Sequence, residues 1–520
     1  MWQKEPTASV CLDCRLPFSF FFDLIDACWK TPQTTSNNLT LHRICTLARK
    51  LGASFVATEC ALARNEVCED IDALDAHYGG GGRANAIQLS FFSGNKSPDG
   101  IDEIDSGALL ATATVINYAP PNSVDYTHSY VFETILVPPH QLDDTGAKRQ
   151  LLNNYICRDT NFKRIVRGRE FQVSGFYYCQ QNALVHVCAH ACLRMALNSI
   201  DGSSAAVTSV EINAQLGLNP PLAGLSLQNI QDVIASKTGS SAVVADCSVI
   251  LPADYLSILT SYIESGFIVL FVFTTSNTVE HVVTVFGHTR NSDEWHPQAI
   301  PGYSGPASAP FYRSSAWVDH FVIHDDNLGP YYTLSSRAFE VDKSITAHWI
   351  IGIHPEHQHE ILPHYAENVA AIVLKGSLAN FSAFGVGNWF NYIVQRPSTY
   401  VLRPILISRD GYKAHLLASI GHDQTKAMPG ELDVADGLPD WFWMVEFSLP
   451  ALFTGNRSKL GEVLIRSEVA GAKAPVDLVE AVRLPSLLAT RNAPGGFDVH
   501  RIGLQSHSPY YTSRMHGNEW

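Results

Sequence analysis

Apolar residues along this chain fall into two kinds of run, and the difference predicts strands and helices. "FIVLFVF" (267–273) is seven residues long and largely β-branched or aromatic, the size of a buried strand. "HVVTVFG" (281–287) reads as a second strand entered through a polar turn. "HFVI" (320–323) reads as a third, which runs out at Asp325 and Asp326 before the turn "NLGP". By contrast "CAHACLRMAL" (188–197) holds small residues and good helix formers, with nothing to break a helix from Cys188 onward.

Extended along the whole chain, these patterns divide it into three blocks. Residues 1–150 mix a helical stretch, "LTLHRICTLARKLGASFVATECALA" (39–63), with strand-like runs such as "ANAIQLSFFS" and "SYVFETILVPP". Between them "YGGGGRAN" (78–85) is a flexible turn whose glycines match no phosphate-binding motif. Residues 151–355 hold the runs described above. Residues 356–520 carry "AAIVLKG", "TYVLRPILIS", "KAHLLASIG" and "WFWMVEFSLP" as strand candidates, which predicts an α+β or mostly β module. A chain of 520 residues is too long for one ordinary domain, so three blocks fit the length.

Composition narrows the function. A net charge of −14 with no basic run excludes a general nucleic-acid binder, which needs cations to neutralise phosphates. No apolar stretch approaches the ~20 residues of a spanning helix, so no membrane is expected. The early run "FSFFFDLI" is short and broken by Asp23, unlike a secretory leader. Eleven cysteines, an odd number with none after Cys247, then read as reduced thiols of a cytoplasmic protein. The lone "CLDC" (11–14) lacks the partner ligands of a zinc site, and no metal or other cofactor is expected.

The candidate chemistry lies in the middle block, at "VHVCAHACLRMAL" (185–197). His186, Cys188, His190 and Cys192 are spaced by two, which aligns side chains on a strand but scatters them around a helix. A helix therefore argues against a metal cluster. It places Cys188 where the helix dipole and unpaired N–H groups favour a thiolate, with Cys192 one turn deeper. A thiolate nucleophile needs a base, a group that orients the base, and oxyanion donors. His281, at the mouth of a strand, can be the base. Asp325 or Asp326 can accept its N–H and fix its tautomer, although acidic residues before "NLGP" are also ordinary turn formers. Gln180 or Gln181, eight and seven residues before Cys188, can supply a side-chain amide to the oxyanion. "IHPEHQHEILPHY" (353–365) is rich in histidine but does not match HExxH, and reads as an exposed polar linker.

The order Gln, Cys-helix, His-strand, Asp resembles the papain-like cysteine peptidases. It is most similar to the bacteriocin-leader-processing domains that cut after a double glycine. The resemblance covers about residues 172–355 and rests on "QQNALVHVCAHACLRMAL", "GLSLQNIQDVIASKTG", "SGFIVLFVF", "HVVTVFG" and "FVIHDDNLGPY" in that order. It implies a central papain-like α+β fold, a cysteine-bearing helix packed on an antiparallel sheet that carries the histidine and aspartate, between additional N- and C-terminal α+β domains. It implies Cys188 as nucleophile, His281 as base, Asp325 (rival Asp326) as orienting residue and Gln181 (rival Gln180) as oxyanion donor. Ala189 stands where the family has glycine, and some thirty residues are inserted between His281 and Asp325.

The expected activity is hydrolysis of an amide bond in a protein or peptide substrate, as a cysteine peptidase or isopeptidase. The same triad serves an acyl transferase or deamidase, and a relic triad would serve a non-catalytic protein-binding module.

Overall fold

In the computed structural model the described residues are 10–501 and 513–514, apart from 31–36, 95–100, 143–147, 151–153, 159, 183–187, 201, 203–205, 219–223, 277–279, 291–300, 304–310, 341, 358, 380–399, 421–428, 451, 454–457, 485–486 and 493–494. They form a mixed helix-and-sheet architecture built on three large sheets. The first is antiparallel, in the order Val10–Asp13, Ala53–Cys60, Arg83–Ser93, Leu109–Ala119, His128–Leu136, Arg169–Tyr178, Thr160–Val166. Its last two strands come from beyond residue 150, so the expected boundary there does not separate one sheet from the next. Helices Phe18–Trp29, Leu39–Lys50 and Asn65–His77 belong to the same block.

The stretch 39–63, expected to be helical throughout, is helical only over Leu39–Lys50 and then turns into the strand Ala53–Cys60. Gly52 breaks it at φ 91°, a conformation most side chains avoid. The glycines of "YGGGGRAN" end a helix, and the amides of Gly81 and Gly82 donate to the Asp75 carboxylate at 3.2 and 2.7 Å.

The second sheet runs Val243–Asp246, Ile345–Ile353, Ile268–Thr275, Glu280–Arg290, Val318–Asp325, Gly329–Ser335, with Asn154–Ile156 also paired to Glu280–Arg290. Its side chains alternate between two cores. Ile268, Leu270, Val282, Phe286 and Val322 join the core shared with the first block and with helix Cys188–Ile200. Val269, Phe271, Val283, Val285, Phe321 and Ile323 join the core shared with helix Pro252–Glu264 and the C-terminal block. Burial on both faces is the reason "FIVLFVF" is apolar without interruption. The cysteine helix is itself buried from Ala189 through Ser199, which suits its small side chains. Helix Leu227–Thr238 starts at a Ser226–Asn229 capping box and ends on Gly239 at φ 73°.

The third sheet is Pro301–Tyr303, Phe311–Arg313, Tyr400–Ser408, Trp441–Ser448, Gly461–Arg466, Val479–Leu484, Leu487–Arg491, Phe497–Arg501. The first two of these strands come from the insertion between His281 and Asp325, so the described part of that insertion extends the C-terminal sheet. Two strand candidates are helices instead: "AAIVLKG" lies inside Pro363–Ala379, and "KAHLLASI" inside Arg409–Ile420, with Gly421 outside the described residues. Pro363 opens its helix at a position where a missing N–H costs nothing, and Ser408 accepts the Gly411 amide at 3.1 Å to start the other. The histidine-rich segment is not an exposed linker. His354 and His359 are buried against Phe267, and His359 also packs on Trp443 and shares a hydrogen bond with the Tyr262 hydroxyl at 3.1 Å.

A buried ionic ladder ties the last two blocks together. Arg403, Glu446, Glu462 and Arg483 stand in register on four neighbouring strands. Arg403 also reaches Glu264 at 2.6 Å, and Glu264 pairs with His288 of the second sheet at 3.0 Å.

Candidate active site

Cys188 is the first residue of the helix Cys188–Ile200 and is only partly buried, so its sulfur sits at the positive end of the helix dipole. Cys192, four residues on, is fully buried, and its thiol donates to the Val282 carbonyl at 3.3 Å. Burial pushes that thiol well above the usual range, which makes Cys192 a packing residue behind the strand that carries His281. His190 is a core histidine bonded through Nε2 to Asn213 Oδ1 at 2.9 Å, with burial lowering its pKa. His186 lies outside the described residues.

His281 is the second residue of strand Glu280–Arg290, and Asp325 is the last residue of strand Val318–Asp325 beside it. The His281 Nε2 lies 2.9 Å from Asp325 Oδ2. The ring packs edge-on against Phe273 with its centroid 5.7 Å away. Burial opposes charging the ring, but hydrogen bonds to Asp325 and to the Cys188 sulfur outweigh it and push the pKa up to about 10. With Nε2 occupied by Asp325, Nδ1 is the ring nitrogen left for another partner.

Asp325 does two jobs at once. Its Oδ1 accepts the backbone N–H groups of Asn327 (2.9 Å) and Leu328 (3.0 Å), which closes the turn, while Oδ2 holds the ring. Burial would raise its pKa, but these bonds and the His281 charge keep the carboxyl below its usual range. One residue of "HDDNLGP" therefore both closes the turn and bonds the His281 ring. Asp326 is set differently. Its carboxylate does not hold the ring, its Oδ2 is buried without a hydrogen-bond partner, and burial pushes its pKa up to about 7. Among the described residues, His281, Asp325 and Asp326 are also the group whose ligand atoms converge as a cation site would, all within 4.8 Å of one another. Asp325 already spends both oxygens on the ring and the turn.

The two glutamines separate cleanly. Gln180 is bound into the first block: its backbone N–H donates to the Val131 carbonyl at 2.9 Å and its Oε1 accepts the Val131 amide at 3.0 Å. The Gln181 side chain instead donates through Nε2 to Asn327 Oδ1 at 2.9 Å, two residues from Asp325. An amide nitrogen carries two hydrogens, so one stays available when Asn327 takes the other. The segment 183–187 that links Gln181 to Cys188 lies outside the described residues.

Residues that the sequence did not single out complete the surroundings. Tyr178 donates to the carbonyls of Asp325 (3.3 Å) and Asp326 (3.4 Å). Asn182 reaches the Asp70 carboxylate, and Arg43 reaches the Pro330 and Tyr331 carbonyls at 2.6 and 2.5 Å. Asn182 stands next to Gln181 in the sequence, a hint in retrospect. Nothing local marks Arg43 or Asp70, which act across 287 and 112 residues.

Comparison of the chain with protein-family models, with curated proteins and with solved structures finds no match. The described helices include none long and apolar enough to cross a membrane.

Proposed function

We propose that the central block is a papain-like cysteine hydrolase that cleaves amide bonds in a protein or peptide. Cys188 is the nucleophile, His281 the base, Asp325 the orienting residue and Gln181 a donor to the oxyanion. The observation that carries this reading is the His281 ring, held by Asp325 Oδ2 through Nε2 at 2.9 Å, with the Cys188 sulfur among the groups that raise its pKa. The Cys188 sulfur attacks the carbonyl carbon, and the amine leaves with a proton from the imidazolium, giving a thioester. Water, deprotonated by His281, then hydrolyses the thioester and frees Cys188. Asp325 keeps Nε2 as a donor throughout, so Nδ1 stays the nitrogen that exchanges protons. Asp326 and Gln180 take no part in this scheme: Asp325 is the carboxylate bonded to the ring, and Val131 takes the Gln180 side chain.

The test is alkylation by iodoacetamide near pH 6 with the site read by mass spectrometry. Cys188 should react well ahead of Cys192 and Cys247, and His281→Ala should abolish that lead. Equal reactivity of the three cysteines overturns the proposal. Incubation of the wild type with a peptide library should then release new termini that Cys188→Ala does not produce. A product 1 Da heavier without cleavage would favour deamidation by the same triad.

A further inference from the structure

The first block touches the candidate site at two separate places, and both contacts end on catalytic loops. We propose that it is a built-in part of the active site, with Asp70 and Asn182 as positioning residues that aim the oxyanion donor Gln181. This rests on the reading of Cys188 as nucleophile.

The segment 180–182 is fixed on both sides of Gln181. Gln180 pairs with Val131 of strand His128–Leu136 through both its backbone N–H and its side chain, as an extra rung on that strand. Asn182 is buried, and its Nδ2 lies 3.3 Å from each oxygen of the Asp70 carboxylate. Asp70, on helix Asn65–His77, is buried as well and also accepts the Tyr130 hydroxyl. Between these anchors Gln181 has little backbone freedom, and its side chain is the polar group left to point at the site.

The second place is the start of strand Gly329–Ser335, just after the turn at Asp325. Tyr331 holds a left-handed φ of 54°, a strained conformation for an aromatic residue. Arg43 of helix Leu39–Lys50 takes its carbonyl and that of Pro330, and stacks on Tyr332 with 3.5 Å to the ring centroid. The Tyr331 hydroxyl in turn donates to the Leu136 carbonyl at 2.8 Å. Asn327, the acceptor for Gln181, lies in the short turn that leads into this clamped strand. The first block therefore holds both partners of the Gln181–Asn327 contact. An inhibitory pro-segment would instead have to cover the cysteine, and would leave these loops intact when removed.

Two reagents separate positioning from folding. Iodoacetamide alkylates the sulfur without forming an oxyanion. p-Nitrophenyl acetate transfers its acetyl group to the sulfur through a tetrahedral oxyanion and releases p-nitrophenolate. In the full-length chain, with the Cys188→Ala background subtracted, Asn182→Ala should slow acylation about 10²-fold, the usual scale for an ångström-sized misplacement. Its iodoacetamide rate should stay within a factor of about two of wild type. Combining Asn182→Ala with Gln181→Ala should cost no more than Gln181→Ala alone, since both remove the same donor. Asp70→Asn keeps the volume and gives the same pattern, and decides the matter if truncation at 182 unfolds the chain. Wild-type acylation in the positioning variants, or losses that multiply with Gln181→Ala, overturns the proposal alone. Equal acylation of wild type and Cys188→Ala overturns the nucleophile reading, and this proposal with it.

Discussion

Replacing Asp325 by asparagine separates its two jobs. In the wild type, Oδ1 takes the N–H groups of Asn327 and Leu328 at 2.9 and 3.0 Å, and Oδ2 takes the His281 ring at 2.9 Å. The asparagine must keep its oxygen on the two backbone donors, because its NH₂ group cannot accept from them. Its NH₂ group therefore faces His281, and Nε2 can bond to it only as an acceptor. The ring proton moves to Nδ1, the nitrogen that has to exchange protons with Cys188.

In serine triads the same exchange, with geometry kept and tautomer reversed, lowers turnover about 10⁴-fold. Asp325→Asn should lose acylation by p-nitrophenyl acetate on the order of 10³–10⁴-fold. Asp325→Ala should lose less chemistry, because its ring can still choose the useful tautomer, but more stability, because two amides lose their acceptor. Thermal melts give a second reading. The ring's folded pKa of about 10 lies above its unfolded value of about 6.5. Protonation therefore contributes stability that is fully present below pH ~6.5 and lost as pH rises through 10, on the order of a few kcal/mol. The deficit of Asp325→Asn should be largest near pH 6 and close towards pH 10. Acylation at the wild-type rate, or a deficit independent of pH, would refute the assignment of His281 and Asp325.

Asp326 should behave in the opposite sense. Its folded pKa of about 7 lies above the unfolded ~3.9, so the native state holds the proton longer and wild-type stability falls between pH 4 and 7. Asp326→Asn should match wild type near pH 4 and exceed it at pH 8 in thermal melts; a variant less stable at pH 8 would show that the charged form is wanted. Gln181→Ala should lower acylation about 10²–10³-fold, the cost of one oxyanion donor, without moving the melting temperature. Asn327→Ala, which removes the acceptor that orients Gln181 and a 3.4 Å donor to Asp326 Oδ1, should lower it about tenfold, and an unchanged rate would leave Gln181 without its orienting partner. In the third sheet, Lys459 Nζ contacts Glu446 at 2.8 Å, Glu462 at 2.6 Å and His415 at 2.7 Å, all in the buried interior. Lys459→Met should cost roughly 3–5 kcal/mol in urea unfolding, because it leaves buried carboxylates under-compensated.

Much of the central block was legible because its signals are local and repeated. A helix starting at Cys188 follows from ten residues without a breaker, and "FIVLFVF" is continuous because tertiary packing covers both of its faces. The turn after Asp325 announces itself through Asp-Asp-Asn-Leu-Gly, whose first carboxylate bonds the backbone two and three residues on. Where period and length conflicted, sequence misled: "AAIVLKG" and "KAHLLASI" are apolar runs of strand length that sit inside longer helices, whose starts lie outside the apolar windows. His354 and His359 are polar by type but buried by aromatic neighbours from distant segments, Phe267, Trp441 and Trp443.

Which of two neighbouring residues meets which partner is visible only in three dimensions. Asp325 and Asp326 are chemically identical and adjacent, yet a strand end aims one at His281 and buries the other without a partner for Oδ2. Gln180 and Gln181 differ only in which side of an extended segment they occupy, and Val131 claims the first. Sequence by itself determined which chemistry the chain can hold, because residue type and period are local properties. Tertiary structure decided which atoms meet, because Asp70, Val131, Arg43 and Asp325 come together only when distant segments share one core.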